Sequence, residues 1–330
     1  MVKAKLADVA KKAGVTAATV SLVMSGNKRI SPATKQKVLK VVKELNYRPN
    51  SAARSLAAGK TNIIGVTAIS FQAWYEMTLM KGMENRIYDT NYTLQQYPSG
   101  GYKDREKNIL LDCIYGQKAD ALIGMSYRPG PAGMKEIKKM SYPFVSLGEK
   151  IKGIPSVYFD DFKGGYLAGK NFVKTGKRKP AIIIQKQVKG FETSDMAGRL
   201  RGFAEALKEG GIKKFEIYGI KDVYYKDGME ACLRIMKKKP DGIFCAAGDT
   251  AAIGFMKQAA LLGIRMPREA AVIGYDDIEM AEAVTPELTT IRQPVMRAGE
   301  AALETAVKMI NKEDVSDIVF EPELIARNSA

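Results

Sequence analysis

The sequence predicts a small all-α helix-turn-helix headpiece followed by an α/β domain of two lobes. Three observations support this fold class. Positive charge is concentrated in the first 60 residues, a tight glycine turn joins two short amphipathic helices there, and strand-length apolar runs alternate with amphipathic helices from residue 61 onwards. A chain of 330 residues is also longer than one hydrophobic core usually supports, so we expect more than one compact unit.

The net charge of +16 is unevenly distributed along the chain. Residues 1–60 contain 13 Lys and Arg against Asp8 and Glu44, a net charge of +11, whereas the rest of the chain holds 39 against 34, a net charge of +5. A basic excess confined to one short segment is typical of a domain that binds a polyanion, whereas a solubilising surface would spread the charge. We therefore predict a polyanion partner.

The composition excludes several classes of enzyme and metal site. The chain has no histidine, which excludes Ser-His-Asp and Cys-His nucleophile pairs and every zinc site that uses histidine. Cys113, Cys232 and Cys245 are far apart in sequence, so we expect reduced, buried thiols and predict no metal and no cofactor. The segment MVKAKLADVAKKAG lacks the apolar core of a signal peptide, so we expect a cytoplasmic protein without a membrane partner.

Apolar residues at helical spacing predict a first helix that ends at Gly14 and a second helix capped by Thr16. The apolar edges expected to pack together contain Leu6, Val9, Ala10, Ala13, Val20, Val23 and Met24. Two helices joined by so tight a turn are typical of the helix-turn-helix, whose second helix enters the major groove.

A third helix and a short fourth one are predicted before residue 60. Ser31 and Pro32 supply the N-cap and first residue of the third helix. Its apolar stripe is expected to contain Val38, Val42 and Leu45. After Pro49, an alanine-rich stretch that Gly59 ends is too short to be stable alone, so it needs a partner.

The runs LADVAKKAGVTAATVSLVMSG and ISPATKQKVLKVVKELNYRPNSAARSLAAGKTNIIG resemble the lactose repressor / galactose repressor family. The resemblance implies a headpiece over residues 1–49, a hinge helix and linker over 50–60, and an effector-binding and dimerisation domain over 61–330. It also implies which residues contact DNA phosphates or base edges: Leu6, Thr16, Ala17, Ala18, Thr19, Ser21, Leu22, Arg29, Ser31 and Thr34. Asn50, Arg54 and Leu56 are implied to act at the minor groove, with Leu56 as the wedge that opens a central base step.

Three departures from the family pattern concern how DNA sequence is recognised. Leu22 stands where the family commonly has Arg, Ser25-Gly26 replaces Asn-Gly, and positions 17 and 18 are both alanine. Ala17, Ala18 and Leu22 can contact thymine methyl groups but cannot donate to guanine O6 or N7. We therefore predict thymine-rich contacted positions and a deformable operator centre that is recognised through bending.

From residue 61 the pattern predicts βαβ units and a mostly parallel sheet in each of two similar lobes. The predicted strands are NIIGVTAI, YTLQQY, DALIGMS, PFVSLG, AIIIQ, FEIYGI, GIFCAAG and AAVIGYD, with helices between them that include 199–209, 228–238 and 250–262. Sheets of this kind bind ligands beyond the carboxyl ends of their strands. A cleft between the lobes is therefore the expected ligand site.

The resemblance continues through RLRGFAEAL, the run from GIFCAAGDT to VIGYDD, TPELTTIRQP and LIARNSA. These segments are similar to the sensor domain of the same regulators, which has the fold of type I periplasmic sugar-binding proteins. The similarity implies that Arg199 and Asp276 hold polar groups of the effector, although a mutual Arg199–Asp276 ion pair remains an alternative. Trp74 or Tyr75 is placed either to stack on a ligand ring or to pack in the core. Further strand-end candidates are Glu149, Asp160, Tyr224 and Asp249.

Three functions compete at this point. The first is a repressor that binds a palindromic operator as a homodimer and is controlled by a sugar, a sugar phosphate or, as a weaker alternative, a purine. The second is a solute-binding protein, which explains the lobes but not the basic headpiece. The third is a doubly wound enzyme, for which no G-x-G-x-x-G or P-loop is present. We favour the first, and the absence of a heptad tail after LIARNSA leads us to expect dimers.

Overall fold

The computed structural model describes residues 4–24, 29–47, 59–185 and 194–330. Contacts between Cα atoms divide the chain into two compact units, Met1–Thr61 and Asn62–Ala330. The first unit is all-α and the second is α/β, which agrees with the predicted fold class. Most of the predicted hinge over 50–60 lies outside the described residues, so the finer domain boundaries remain predictions.

The described residues of the small unit form three helices around one hydrophobic core: α1 (Leu6–Ala13), α2 (Ala17–Met24) and α3 (Pro32–Glu44). Gly14 ends α1 with a φ of +61°, and the Ser31 side chain accepts a hydrogen bond from the backbone N–H of Thr34 at 3.3 Å, as an N-cap does. The core contains Val9, Ala10, Ala13, Val20, Val23, Val38 and Val41. The predicted stripe of α3 omitted Val41, which is buried, whereas the predicted Val42 and Leu45 pack against the core and are partly buried.

The large unit consists of two six-stranded sheets with helices between the strands. The first lobe has β1 (Ile63–Ala68), α4 (Trp74–Ile87), β2 (Thr93–Pro98), α5 (Lys103–Ile114), β3 (Ala121–Met125), α6 (Pro131–Lys139), β4 (Phe144–Leu147) and β5 (Ser156–Phe159). The second has α7 (Asp161–Lys174), β6 (Pro180–Gln185), α8 (Ser194–Glu209), β7 (Glu216–Ile220), α9 (Tyr225–Ile235), β8 (Gly242–Cys245), α10 (Asp249–Leu261), β9 (Ala271–Asp276), α11 (Met280–Ala283) and β10 (Thr289–Arg292). The chain ends with α12 (Val295–Ile310), β11 (Ile318–Phe320) and β12 (Glu323–Ile325).

The sheet order is β11-β5-β4-β3-β1-β2 in the first lobe and β12-β10-β9-β8-β6-β7 in the second. All eight predicted strand segments are strands, and the pairing is parallel apart from β10 with β12. The chain passes between the lobes after β5, after β10 and between β11 and β12. Three crossings therefore join the lobes, and parallel strands direct the carboxyl end of each sheet toward its ligand site.

The thiols of Cys113, Cys232 and Cys245 are free and buried, as predicted. In the part of the chain that the structure describes, no helix combines the length and apolar character that crossing a bilayer requires.

Glycines allow three pairs of helices to approach closely. A Cβ at Gly165 of α7 would lie 1.9 Å from the Arg199 carbonyl oxygen, and one at Gly202 of α8 would lie 1.9 Å from the Phe162 carbonyl oxygen. The same reciprocal arrangement occurs between α9 and α10 and between α4 and α12. These backbones touch, so any larger side chain must push the helices apart.

We expect Gly202→Ala to lower the free energy of unfolding by about 1–3 kcal/mol, because its new methyl group overlaps the α7 backbone. Gly130→Ala is the matched control, since a Cβ there meets nothing within 4 Å. The control should lose no more than about 1 kcal/mol, from the altered N-cap alone. Urea denaturation measures both, and equal losses in the two variants would contradict the close-packing argument.

Candidate functional site

The outward face of α2 is the candidate DNA-contacting surface of the small unit. Ala17, Ala18, Ser21 and Leu22 are exposed on it, and Leu22 remains 40% exposed. Their spacing places them on one side of the helix, opposite the buried Val20 and Val23. The structure therefore brings these predicted DNA-binding residues together on one surface.

Other predicted DNA-binding residues lie at helix N-termini. The Thr16 hydroxyl accepts a hydrogen bond from the Thr19 backbone N–H at 3.1 Å at the start of α2. At the start of α3, the hydroxyl oxygens of Ser31 and Thr34 lie 2.9 Å apart. Free N–H groups at such termini are suited to phosphate oxygens.

The remaining headpiece predictions have different surroundings. Leu6 is half-buried and packs against the headpiece core, whereas Arg29 is exposed. Asn50, Arg54 and Leu56 lie outside the described residues.

In the large unit, the carboxyl ends of the two sheets face each other across a cleft. Tyr75, from the first lobe, lies close enough to Asp161, Asp195, Arg199 and Asp276 for their charges to act on its hydroxyl. Burial, with the nearby carboxylates, raises the pKa of Tyr75 well above its ordinary value. The predicted cleft is thus present and its floor is polar.

Arg199 lies at the centre of the cleft floor and is only 7% exposed. Its Nε donates to Asp161 Oδ1 at 2.9 Å, and one terminal nitrogen donates to the Ala246 carbonyl oxygen at 2.7 Å. Its guanidinium carbon lies 3.7 Å from the centre of the Tyr275 ring, and the Tyr275 hydroxyl donates to the same Asp161 oxygen at 3.2 Å. One buried cation thereby connects α8, α7, β8 and β9.

Asp276 ends β9 beside this cluster with a backbone φ of +108°. A non-glycine residue in this region is strained by about 1–3 kcal/mol, and such strain is concentrated at functional sites. Gln293 Nε2 donates to Asp276 Oδ1 at 3.0 Å, whereas Arg199 donates to Asp161. Asp276 is therefore hydrogen-bonded by Gln293 and does not form the alternative ion pair with Arg199. Burial raises the pKa of Asp276 to about 6 despite the nearby Arg199 charge.

Gly248 leaves the other oxygen of Asp276 accessible. Its φ is +116°, and a Cβ at this position would lie 3.0 Å from Asp276 Oδ2. Any side chain at this position would occupy that space, so the glycine determines the shape of the cleft beside the carboxylate.

Two further polar atoms of the cleft are buried and have no hydrogen-bond partner among the described residues: Asp195 Oδ1 and Gln293 Oε1. A buried acceptor without a partner destabilises the chain by about 1–3 kcal/mol unless a ligand or water supplies a donor. Sequence reasoning missed Asp161, Asp195 and Gln293. Two sequence features could have indicated them. Asp195 lies four residues before Arg199 on one helix, and Gln293 follows the end of β10.

The aromatic candidates occupy different surroundings. Trp74 is partly buried and packs against the core of the first lobe. The Tyr75 ring makes an edge contact with Phe159, with 6.3 Å between ring centres, and its hydroxyl is 3.1 Å from where a Cβ of Gly148 would lie. Tyr75 therefore reaches the cleft, whereas Trp74 contributes to packing beside it.

The four further strand-end candidates are not brought into one cluster. Glu149 binds Arg128, whose Nε lies 3.2 Å from Glu149 Oε2, and Asp160 caps α7 by accepting from the Lys163 backbone N–H at 2.9 Å. Asp249 is completely buried, and its two oxygens accept from the Thr290 hydroxyl and the Ile278 backbone N–H. Tyr224 lies at the N-cap of α9, beyond the outer strand of its sheet, and is 61% exposed.

A cavity of about 970 Å³ extends from the cleft between α5 and α6. Its inner end is lined by Ser126, Gly148 and Glu149 of the first lobe and by Asp195 of the second. Among the described residues, no group of His, Cys, Asp and Glu side chains is arranged to hold a metal ion.

Comparison with known proteins agrees with both units. Residues 5–50 match the model for bacterial regulatory proteins of the lacI family, and residues 170–330 match that for a periplasmic binding protein-like domain. The HTH-type transcriptional repressor PurR of Pectobacterium carotovorum subsp. carotovorum (strain PC1) is 33% identical over 335 residues, which cover 99% of this chain and 96% of the relative. The chain belongs to the lacI family.

Solved structures of lacI-family regulators have the same fold. The lac repressor dimer bound to operator and the anti-inducer ONPF superposes with a TM-score of 0.85 at 22% identity over 99% of each chain. A lacI-family regulator from Enterococcus faecalis V583 with bound ribose superposes with a TM-score of 0.72 at 25% identity, over 81% of this chain and 98% of that one. Membership of the lacI family makes this chain a DNA-binding transcription regulator and not an enzyme, and the solved structures show the fold of its two-lobed domain.

The raised pKa of Asp276 predicts how the stability of this lacI-family protein depends on pH. Because the carboxyl keeps its proton up to a pH of about 6 when folded, against an ordinary pKa of 3.8, its stabilising contribution is present below that ordinary value and is lost as pH rises through about 6. The free energy of unfolding of Asp276→Asn minus that of the wild type should therefore increase from about pH 4 to about pH 7, by about 1 kcal/mol or more. A constant or decreasing difference in urea denaturation would show that Asp276 is ionised throughout.

Proposed function

We propose that the chain is a cytoplasmic repressor that binds a palindromic operator as a homodimer, and that a neutral, polyhydroxylated ligand in the cleft controls its operator affinity. The observation that carries the proposal is the polar floor formed by Arg199, Asp276 and Gln293 in the same chain as a basic amino-terminal segment, residues 1–60, with a net charge of +11. The lac repressor structure, a dimer bound to operator, supports the dimer and the DNA partner.

The surroundings of the cleft favour a sugar. Asp195 Oδ1, Gln293 Oε1 and Asp276 Oδ2 are all acceptors, so they require a ligand that donates hydrogen bonds from several hydroxyl groups. The Tyr75 ring offers an apolar surface of the sort on which a pyranose or furanose ring packs. An anionic sugar phosphate would be repelled by Asp195 and Asp276, which places it second, and a purine third. The ribose-bound Enterococcus faecalis regulator is consistent with this order.

We assign direct ligand contact to Tyr75, Glu149, Arg199 and Asp276, together with Asp195 and Gln293. Asp160 and Asp249 act as positioning residues, because the oxygens described above are already used to cap α7 and to hold the segment after β9. Trp74 packs beside the site, and Tyr224, which is exposed after the edge strand β7, is assigned no ligand contact.

On the DNA side, we propose that α2 inserts its exposed face into the major groove and that Leu56 wedges the minor groove at the operator centre. Thr16, Thr19, Ser21, Arg29, Ser31 and Thr34 contact phosphates or base edges, with Asn50 and Arg54 beside Leu56. The methyl groups of Ala17, Ala18 and Leu22 supply apolar contacts.

Selection from random duplexes tests this interface. We expect recovered sites to be palindromic, with thymine-rich positions beneath α2 and a flexible pyrimidine–purine step at the centre. The observed dissociation constant should rise steeply with salt concentration, since residues 1–60 carry a net charge of +11 and phosphates that they neutralise release counterions. Sites with invariant guanines at the α2 positions would contradict the proposed recognition, and the absence of any enriched site would contradict the regulator itself.

The single tryptophan provides a direct assay of the cleft. Because Trp74 lies beside Tyr75, we expect neutral sugars that bind in the cleft to change its fluorescence. Asp276→Asn should weaken the affinity about tenfold or more, because a charge-assisted hydrogen bond contributes about 1.5–3 kcal/mol. Asp314→Asn, at an exposed carboxylate far along the chain, is the control. Equal affinities for wild type and Asp276→Asn would remove Asp276 from the ligand site.

A further inference from the structure

A second basic surface lies on the large unit, at the amino-terminal ends of three neighbouring strands. We call residues 174–179, 213–216 and 237–241, which precede or begin β6, β7 and β8, the basic edge. These strands are adjacent in the order β8-β6-β7, so their preceding segments lie side by side. The basic edge contains nine Lys and Arg against Glu216 and Asp241, a net charge of +7. Residues 61–330 together have a net charge of +5, so those outside the basic edge have a net charge of −2.

The acidic residues of the basic edge neutralise few of these cations. Glu216 binds Lys238 at 2.9 Å, but the Asp241 carboxylate accepts from the backbone N–H groups of Arg178 and Lys179 at 2.7 and 2.8 Å. Asp241 thus fixes the segment before β6 to the segment before β8. The exposed cations without a salt bridge among the described residues are Lys174, Arg178, Lys179, Lys213, Lys214, Lys237 and Lys239.

The fold does not require this charge. In the first lobe, β1, β2 and β3 occupy the positions of β6, β7 and β8 in an equivalent sheet order. The segments before them, residues 59–62, 88–92 and 115–120, contain Lys60 and Lys118 against Asp89 and Asp120, a net charge of zero. Concentrated like charge destabilises a folded surface, so the basic edge is better explained by an anionic partner.

The form of the surface favours an extended polyanion over a small ion. A recess of about 290 Å³ is lined by Arg178, Lys179, Lys214 and Lys238, but these side chains are exposed. A site for a small anion uses a few precisely placed donors in a pocket that buries the ligand. Neighbouring strands lie about 4.8 Å apart, so the exposed lysines before the three strands form an extended row of positive charge. Such a row instead matches a duplex, which carries one negative charge per about 1.7 Å.

We propose that the basic edge binds the phosphate backbone of a second segment of duplex DNA, without sequence preference. DNA is the favoured polyanion because a DNA-binding regulator is already held at high local DNA concentration by its headpiece. A chain that binds one duplex through the headpiece and another through the basic edge links two DNA segments. This role is additional to ligand control and uses none of the cleft residues.

The test uses the full chain bound to an immobilised operator duplex and a labelled non-operator duplex in solution. The wild type should capture the second duplex at about 50 mM salt. Lys179→Glu, Lys214→Glu and Lys237→Glu together should reduce capture at least about tenfold and lower the slope of log affinity against log salt by about three. The control is Lys135→Glu, Lys138→Glu and Lys152→Glu together, three exposed lysines of the first lobe with the same change in net charge.

Equal capture by the basic-edge variant and the wild type, or equal loss in the control, would overturn the proposal. Binding of anionic phosphatidylserine vesicles without capture of the second duplex would overturn it in favour of a membrane surface. Operator retention and the unfolding midpoint show whether each variant is folded. If a Lys→Glu variant is not folded, the variant with Lys→Gln at the same three positions replaces it. If neither the wild type nor any variant is retained by the operator, the proposed function is contradicted instead. In that case, the fluorescence anisotropy of the labelled duplex still measures its binding to the basic edge.

Discussion

The structure of the sensor domain depends on one buried interaction, between Arg199 and Asp161. Asp161 begins the helix that follows the first crossing between the lobes, and Arg199 lies on the neighbouring helix of the second lobe. Because the same guanidinium also binds the Ala246 carbonyl and covers the Tyr275 ring, it fixes the ends of β8 and β9 relative to that crossing. Removing the Arg199 charge would leave the Asp161 carboxylate buried without its cation, which is strongly destabilising, whereas removing Asp161 would leave Arg199 with Asp195 at 3.9 Å. The glycines that let α7 lie on α8 are a condition for this contact.

The cleft geometry follows from that arrangement. Asp276 is held by Gln293, which lies on the second crossing between the lobes, immediately before α12. A ligand that donates to Asp276 therefore acts next to two of the three segments that join the lobes. This position suits a molecule whose binding shifts the relative population of two lobe arrangements. The acceptor-rich floor also explains why a neutral sugar is favoured over its phosphate.

Much of the fold could be predicted from the sequence because its signals are local. The glycine turn at Gly14, the Ser31 cap and eight apolar strand segments each depend on neighbouring residues. Strands β5 and β10–β12 escaped the strand prediction because each has only three or four residues and lies outside the longer apolar runs that revealed the equally short β4 and β8. Val41 was missed because two adjacent valines fit the same helical stripe, and only the position of α1 and α2 determines which one is buried.

The site was harder to predict, because side-chain partners are set by tertiary contacts. Arg199, Asp276 and Tyr75 were placed at the cleft, yet nothing in the sequence indicates that Asp161 rather than Asp276 pairs with Arg199 or that Asp249 is fully buried. The central claim is that cleft and operator are energetically coupled. Calorimetric titration of a cleft ligand into the free and the operator-bound chain tests this most directly. We predict that the two ligand affinities differ, and by the same factor by which the ligand changes operator affinity. Equal ligand affinities in the two states would contradict the account.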